Sequence, residues 1–135
     1  INQLKSLNKN NQLRKNNFKY FLNLLDGSKY FKNFETEGAC NYAFIILFNP
    51  KFRKNLISSK FEKYLQKNGI EFRRGTSGGG NQARQPYIKN LLIKNYYKKL
   101  KNTETIHFYG YYIGNYPSLS KKKIKKICKI LNSFE

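Results

Sequence analysis

The chain has 135 residues, room for one domain with a modest core, and its 27 Lys and Arg against seven Asp and Glu give a formal charge of +20. Lys, Asn, Ile, Tyr and Phe are abundant while Met and Trp are absent, the usage an AT-rich genome imposes on any fold, so the charge alone does not mark a nucleic-acid partner. One His and two distant cysteines exclude a zinc motif, and no apolar run approaches the roughly 20 residues a membrane span needs.

Residues 3 to 26 read as one long helix, with Leu4 and Leu7 at one end and Phe18, Phe21, Leu22 and Leu25 at the other, closing at Gly27. Its middle, Asn8 to Asn17, is almost wholly polar, the pattern of a helix that bridges two bodies. Residues 27 to 41 show no period and read as a loop with one short strand near Phe31 to Phe34. Tyr42 to Phe48 is an uninterrupted apolar run of strand length bounded by Asn49-Pro50, which predicts a central, well-buried strand. Lys51 to Asn68 follows as a helix whose Ile57, Phe61, Tyr64 and Leu65 cover the sheet, with Gly69 as its left-handed end.

Ile70 to Arg74 alternate as a half-buried strand. Residues 88 to 100 are rich in Tyr, Leu and Lys and leave room for a short helix, and Ile106 to Ile113 reads as a further strand with Gly110 as a bulge or close-packing point. Gly114-Asn115-Tyr116-Pro117 is a turn, since Gly and Asn tolerate positive φ and Pro fixes the exit, and Ser120 caps a last helix with the stripe Ile124, Ile127, Cys128 and Leu131. Lys121 to Lys123 oppose that helix's dipole. The fold class expected is α+β, a small mostly antiparallel sheet with helices on one face. With no Met and Ile at position 1, the chain is expected to be part of a longer product. Two unpatterned cysteines and no signal peptide suggest a reducing, cytoplasmic setting.

Between the strand ending at Arg74 and Tyr87 stand four glycines, Gly75, Gly78, Gly79 and Gly80, then Asn81, Gln82, Arg84, Gln85 and Pro86. Such glycines give slack or a backbone that can approach a ligand closely, and the amides and guanidinium suit hydroxyl, carboxylate and phosphate partners. The loop lacks the Gly-Lys-Ser/Thr ending of a Walker loop, and no His and carboxylate pair stands at a useful spacing, so catalysis by this chain alone is poorly supported.

Arg73-Arg74 followed by Gly80-Asn81-Gln82-Ala83-Arg84-Gln85-Pro86-Tyr87 resembles the Gly-Asn-x-x-Arg-Gln-Pro loop of the DegT/DnrJ/EryC1/StrS family, pyridoxal-phosphate (PLP) dependent sugar aminotransferases and dehydrases. Gln3-Leu4-Lys5-Ser6-Leu7 with Arg14 to Phe18 is similar to that family's helix between its large and small domains, and Tyr112-Ile113-Gly114-Asn115-Tyr116-Pro117 to a later turn, so the likeness runs nearly the length of the chain. The sequence departs from the family at Tyr116, where His is common, and after Leu119-Ser120, where acids are common and lysines stand here.

The resemblance implies a linking helix at 1–27 and, at 28–135, the C-terminal small domain of a fold-type I enzyme. Its PLP would be bound by an absent N-terminal domain, and two subunits would complete each site as a homodimer. Asn81 and Arg84, with Arg74 behind them and Gln85 bracing the loop, would approach a nucleotide-sugar or the carboxylate of an amino donor; a buried Arg84 fastening the loop to a carbonyl or carboxylate is the structural alternative. Nothing here resembles the family's Ser-x-x-Lys cofactor segment, so no catalytic residue is assigned in this chain. The implied reaction is transamination of a keto-sugar for polysaccharide or lipopolysaccharide precursors, with removal of the sugar 3-hydroxyl as the alternative. Tyr87, Tyr111 and Tyr112 are expected as core or interface aromatics and His107 as a strand residue with an ordinary hydrogen bond. The rival readings are a basic RNA-binding module with Tyr109, Tyr111 and Phe72 as stacking platforms, and a non-catalytic interaction domain.

Overall fold

A computed structural model describes residues 2–54, 56–88, 91 and 93–135. Asn55, inside the helix expected at 51–68, and Lys89, Asn90 and Leu92, inside the segment 88–100, lie outside the described residues. Among the described residues the chain forms helices α1 (Asn2–Lys5), α2 (Leu7–Leu24), α3 (Ile57–Lys67), α4 (Lys101–Tyr109) and α5 (Lys121–Asn132). Strands β1 (Ala43–Leu47), β2 (Arg73–Arg74) and β3 (Gly110–Gly114) join them. The sheet is antiparallel in the order β1-β3-β2, with Phe44 opposite Ile113 and Ile46 opposite Tyr111.

The apolar run of β1 is an edge strand rather than the central one, which is β3. Its alternation still decides which face is packed. Phe44, Ile46, Tyr111 and Ile113 are buried in one cluster with Phe18, Phe21, Leu22, Phe61, Leu65, Ile124 and Leu131 from the helices. Ile45 and Leu47 point the other way and are half-buried. Phe21 stacks on Phe44 at 4.5 Å, and Phe61 meets Phe48 edge-on at 4.9 Å, the offset and tilted geometries that aromatic quadrupoles favour.

The expected long helix is interrupted at Ser6, and only its second half is held: Phe18, Phe21 and Leu22 are buried, while Leu4 is 70% exposed. No strand forms at 31–34; Tyr30 makes an isolated bridge to Phe48, and the chain there is otherwise irregular. Helix α3 begins at Ile57 because Pro50–Phe52 form a separate 3-10 turn and Leu56 sits at φ 62. Its buried stripe, Ile57, Phe61 and Leu65, matches the spacing, with Tyr64 packed beside it. Strand β2 keeps only Arg73 and Arg74 of the expected 70–74.

The end of α5 collects three side-chain donors from elsewhere: Tyr30 Oη to Leu131 O at 2.7 Å, Tyr64 Oη to Ile130 O at 2.9 Å and Lys29 Nζ to Asn132 O at 2.7 Å. These satisfy carbonyls that a helix end leaves open and set a cation where the dipole is negative, offsetting the lysines at the other end. The turn after β3 works differently from expectation. Neither Gly114 nor Asn115 has positive φ; Asn115 is buried and its Nδ2 donates to Arg14 O and Asn41 O, both at 2.9 Å, tying α2 to the start of β1. Among the described residues no helix is long and apolar enough to cross a membrane.

Candidate functional site

The largest departure from the sequence reading lies at Lys101–Tyr109, which is helix α4 where its second half had the aromatic and β-branched content of a strand. Tertiary contact overrides that propensity. The glycine loop after β2 is laid directly against α4. A Cβ on Gly75 would lie 2.8 Å from Ile106 C and closer still to Ile106 O, and one on Gly110 would lie 2.6 Å from Ile106 O. Gly80, at φ +58, has no room for a Cβ beside His107 Nδ1. The glycines do allow close approach, and the partner they admit is this helix.

Asn81 is the centre of the contact. It is 1% exposed; its Nδ2 donates to Glu104 Oε1 at 2.6 Å and its backbone N–H to His107 Nδ1 at 3.0 Å. Its Oδ1 caps the following 3-10 turn (Gln82–Arg84) by accepting from Ala83 N at 3.1 Å. Arg84 closes the cluster with a bidentate grip on Glu104, Nε to Oε1 at 2.6 Å and Nη2 to Oε2. Its guanidinium lies 4.1 Å from the Tyr97 ring centroid and 4.9 Å from that of Phe108. Tyr87 Oη donates to Gln82 Oε1, and Gln85 N–H to Gln82 O at 3.0 Å, so the loop braces itself beyond α4.

The electrostatics follow from these partners. Hydrogen bonds from Arg84 and Asn81 hold the Glu104 carboxyl below its ordinary value, against the pull of burial. His107 is also lowered, first by burial and then by Arg84 and Arg74, although Glu104 pulls the other way.

Of the residues singled out from sequence, Asn81 and Arg84 are brought together on one carboxylate, with Arg84 in the fastening role. Arg74 is drawn elsewhere: its Nε sits 3.1 Å from Glu62 Oε1 on α3, which also accepts from Tyr111 Oη at 3.0 Å. Gln85 is half-buried at the end of the turn. Glu104 escaped the sequence reading, as did its place one turn from His107 on α4. The signal was there at i, i+3, which puts both on one face once the segment is helical. His107 is a helix residue, not a strand one.

Burial separates the three tyrosines: Tyr111 is core, Tyr112 is half-buried and Tyr87 is 68% exposed. At 2% exposure, and with its ring against Phe61, Tyr111 cannot serve as a base-stacking platform, while Phe72 and Tyr109 pack against the same core. The lysines of α2, α3 and α5 are spread over outer helix faces. Burial pushes the Cys128 thiol up to about 12, as suits a small apolar core residue.

Two clefts flank the sheet. One of about 530 Å³ runs between α5 and residues 68–73, with Ile70, Ile113 and Ile127 on its floor. The other, about 480 Å³, lies on the uncovered sheet face against Ile45, Leu47 and Tyr112 and reaches Gly75, Ile106 and Gly110 at the foot of the loop. Asn81 and Arg84 line neither.

Among the described residues there is no cluster of His, Cys, Asp and Glu fit to hold a metal ion. The residues present do not fit PLP either. No described lysine is buried, and the cluster's one carboxylate is already engaged by Asn81 and Arg84.

No family model matches the chain, and no curated protein matches it. Solved structures do. E. coli GDP-4-keto-6-deoxy-D-mannose-3-dehydratase with bound hydrated PLP superposes with a TM-score of 0.80 at 22% identity, over 97% of this chain and 33% of that one. A GDP-4-keto-6-deoxymannose-3-dehydratase with a trapped PLP-glutamate geminal diamine gives 0.73 at 21%. A further structure of that enzyme with bound GDP-perosamine gives 0.79 at 22%. The chain thus has the fold of about a third of these PLP enzymes and spans about a third of their length.

Proposed function

We propose that this chain is the small domain of a PLP-dependent enzyme acting on a nucleotide-linked keto-sugar, with the cofactor held by polypeptide other than the residues present here. The observation that carries the reading is the match of 97% of this chain to one third of proteins solved with PLP and, in one case, a GDP-sugar. Removal of the sugar 3-hydroxyl is the preferred reaction, because the neighbours reported above are 3-dehydratases and the Gly80 to Pro86 motif resembles that branch. Transamination for polysaccharide or lipopolysaccharide precursors is the second reading, favoured by the family resemblance as a whole.

Two surfaces support a missing partner domain. The first half of the linking helix leaves Leu4 70% and Leu7 44% exposed, as expected of a helix whose other end packs on a second body. Strand β1 is apolar on both faces, the pattern of a strand covered twice, yet the helices cover only Phe44 and Ile46. The face of Ile45, Leu47 and Tyr112 suits the cofactor domain, and the loop, whose Gly75 lines that cleft, would then lie near the substrate. Glu104 takes one edge of the Arg84 guanidinium; the other edge suits a phosphate or carboxylate, with Gln85 and Arg74 nearby in sequence. A homodimer in the cytoplasm completes the reading.

Expressing the gene product with whatever coding sequence precedes Ile1 tests it. The expected protein copurifies with PLP and removes the 3-hydroxyl of GDP-4-keto-6-deoxymannose, releasing an amino sugar only if the transaminase reading holds. A gene with no cofactor-anchoring domain ahead of this segment would refute both.

A further inference from the structure

Asn81 has its polar groups committed without any ligand. Its Nδ2 and backbone N–H go to Glu104 and His107, its Oδ1 to Ala83 N–H, and its carbonyl accepts from Arg84 N at 3.0 Å. A buried amide engaged at each polar group shapes a loop rather than contacts a passing substrate. The shaping groups are one turn apart on α4, and Arg84 hangs from the same carboxylate.

From this geometry we infer that Glu104 and His107 are the positioning residues of the loop from Gly80 to Tyr87, and that the loop keeps this form only while His107 is neutral. That the loop meets a nucleotide-sugar rests on the function proposed above; the latch itself does not.

Which ring nitrogen carries the proton decides the form of the loop. His107 Nδ1 accepts the Asn81 N–H at 3.0 Å, so the neutral ring must carry its hydrogen on Nε2. Protonation of Nδ1 sets two N–H donors against each other, and the end of the glycine run must move away. Gly80 cannot absorb the change in place, because it is already packed against the ring. The charged groups facing His107 are Glu104 on its own helix, which favours the imidazolium, and Arg84 of the loop and Arg74 of β2, which oppose it together with burial. Arg74 and Arg84 are themselves paired with Glu62 and Glu104, in two separate ion pairs, so only the second belongs to the latch.

A consequence separates this latch from simple charge attraction. An anion held by scattered lysines binds no more weakly as the protein gains positive charge on acidification. A nucleotide-sugar held by the latched loop is released as His107 protonates.

The test uses the ligand-free 135-residue chain, labelled with nitrogen-15. The imidazole nitrogens of His107 should report the Nε2–H tautomer at neutral pH. The amides of Gly80, Asn81 and Ala83 should shift with the same midpoint as the ring, below 6.5. His107→Gln, whose side-chain oxygen can accept the Asn81 N–H at any pH, should keep the loop ordered from about pH 8 to about pH 5. Glu104→Gln should speed Asn81 amide exchange on the order of fivefold, since one charge-assisted partner is lost. An Nδ1–H tautomer, or loop amides that ignore the ring's titration, would overturn the inference. A latch that behaves as stated in this chain, within a longer gene product that binds no GDP-mannose at any pH, would count against the nucleotide-sugar reading alone.

Discussion

Replacing Gly75 by Ala is the sharpest test of the packing that holds the loop to α4. The added methyl would fall on the Ile106 carbonyl and within 3.2 Å of Gly110 O, where the atoms met are backbone and cannot swing aside. It would also strain the Gly75 N–H bond to Gly110 O, at 2.6 Å. Overpacking costs about 1–3 kcal/mol and a lost backbone hydrogen bond about 1 kcal/mol, so the variant should lose about 3 kcal/mol. With a urea slope of about 2 kcal/mol per molar, the midpoint falls by about 1.5 M. The control is Gly114→Ala, whose methyl meets nothing within 4 Å and whose φ is not positive; its midpoint should stay within about 0.3 M of the parent. If α4 detaches instead, the slope falls as well, because less surface remains to be exposed on unfolding. A Gly75→Ala chain with an unchanged midpoint and slope would refute the close approach of Ile106.

Acidification should destabilise the chain in two steps. His107 is lowered in the fold, so its contribution is full above its unfolded value of 6.5 and declines as pH falls from there toward its folded value; thermal melting against pH reads this, and His107→Gln should remove the step. Glu104, lowered from 4.5, holds its contribution above that value and loses it as pH falls through the lower folded value, giving a second decline, shared with the lowered Asp26, that Glu104→Gln should shrink. Tyr30→Phe removes the donor to Leu131 O at the buried end of α5 and should cost about 1–3 kcal/mol, visible as a melting point lower by about 3–10 °C. Single-stranded RNA binding, followed by fluorescence anisotropy, should give no saturable complex at physiological salt, because Tyr111 is buried; a tight complex with a steep log-log salt slope would contradict the packing of the sheet.

What could be read in advance divides along a physical line. Helices α3 and α5 and the buried end of α2 were legible because each spends its apolar residues on one face, and the buried residues Ile57, Phe61 and Leu65, or Ile124, Cys128 and Leu131, are those the period names. Strand β1 was legible as a strand but not as an edge, since an apolar run reports burial and not strand order. Helix α4 was missed because Ile106, Phe108 and Tyr109 carry strand propensity. What makes them helical is a carboxylate one turn away gripping a loop some 20 residues earlier, which no local window contains. The same gap explains the site: Asn81 and Arg84 stood out by type, whereas Glu104 had no feature of its own until the loop was folded onto it.

The glycine run and α4 are therefore better understood as one element than as a flexible connection beside a helix. Gly75, Gly80 and Gly110 remove side chains at three points where α4 touches the loop or the adjoining strand, and Glu104 and His107 fill the space with groups that bind backbone and guanidinium. A loop meant only for slack would need the glycines but not the acid; one meant only for anion capture would not spend an edge of its arginine on an internal carboxylate. The arrangement fits a surface kept rigid in advance of its partner, where the ordering cost is met in folding rather than at binding. The uncovered face of Ile45, Leu47 and Tyr112 reaches Gly75 and Ile106 at the foot of the latched loop, so the order that α4 imposes extends to the edge of that cleft.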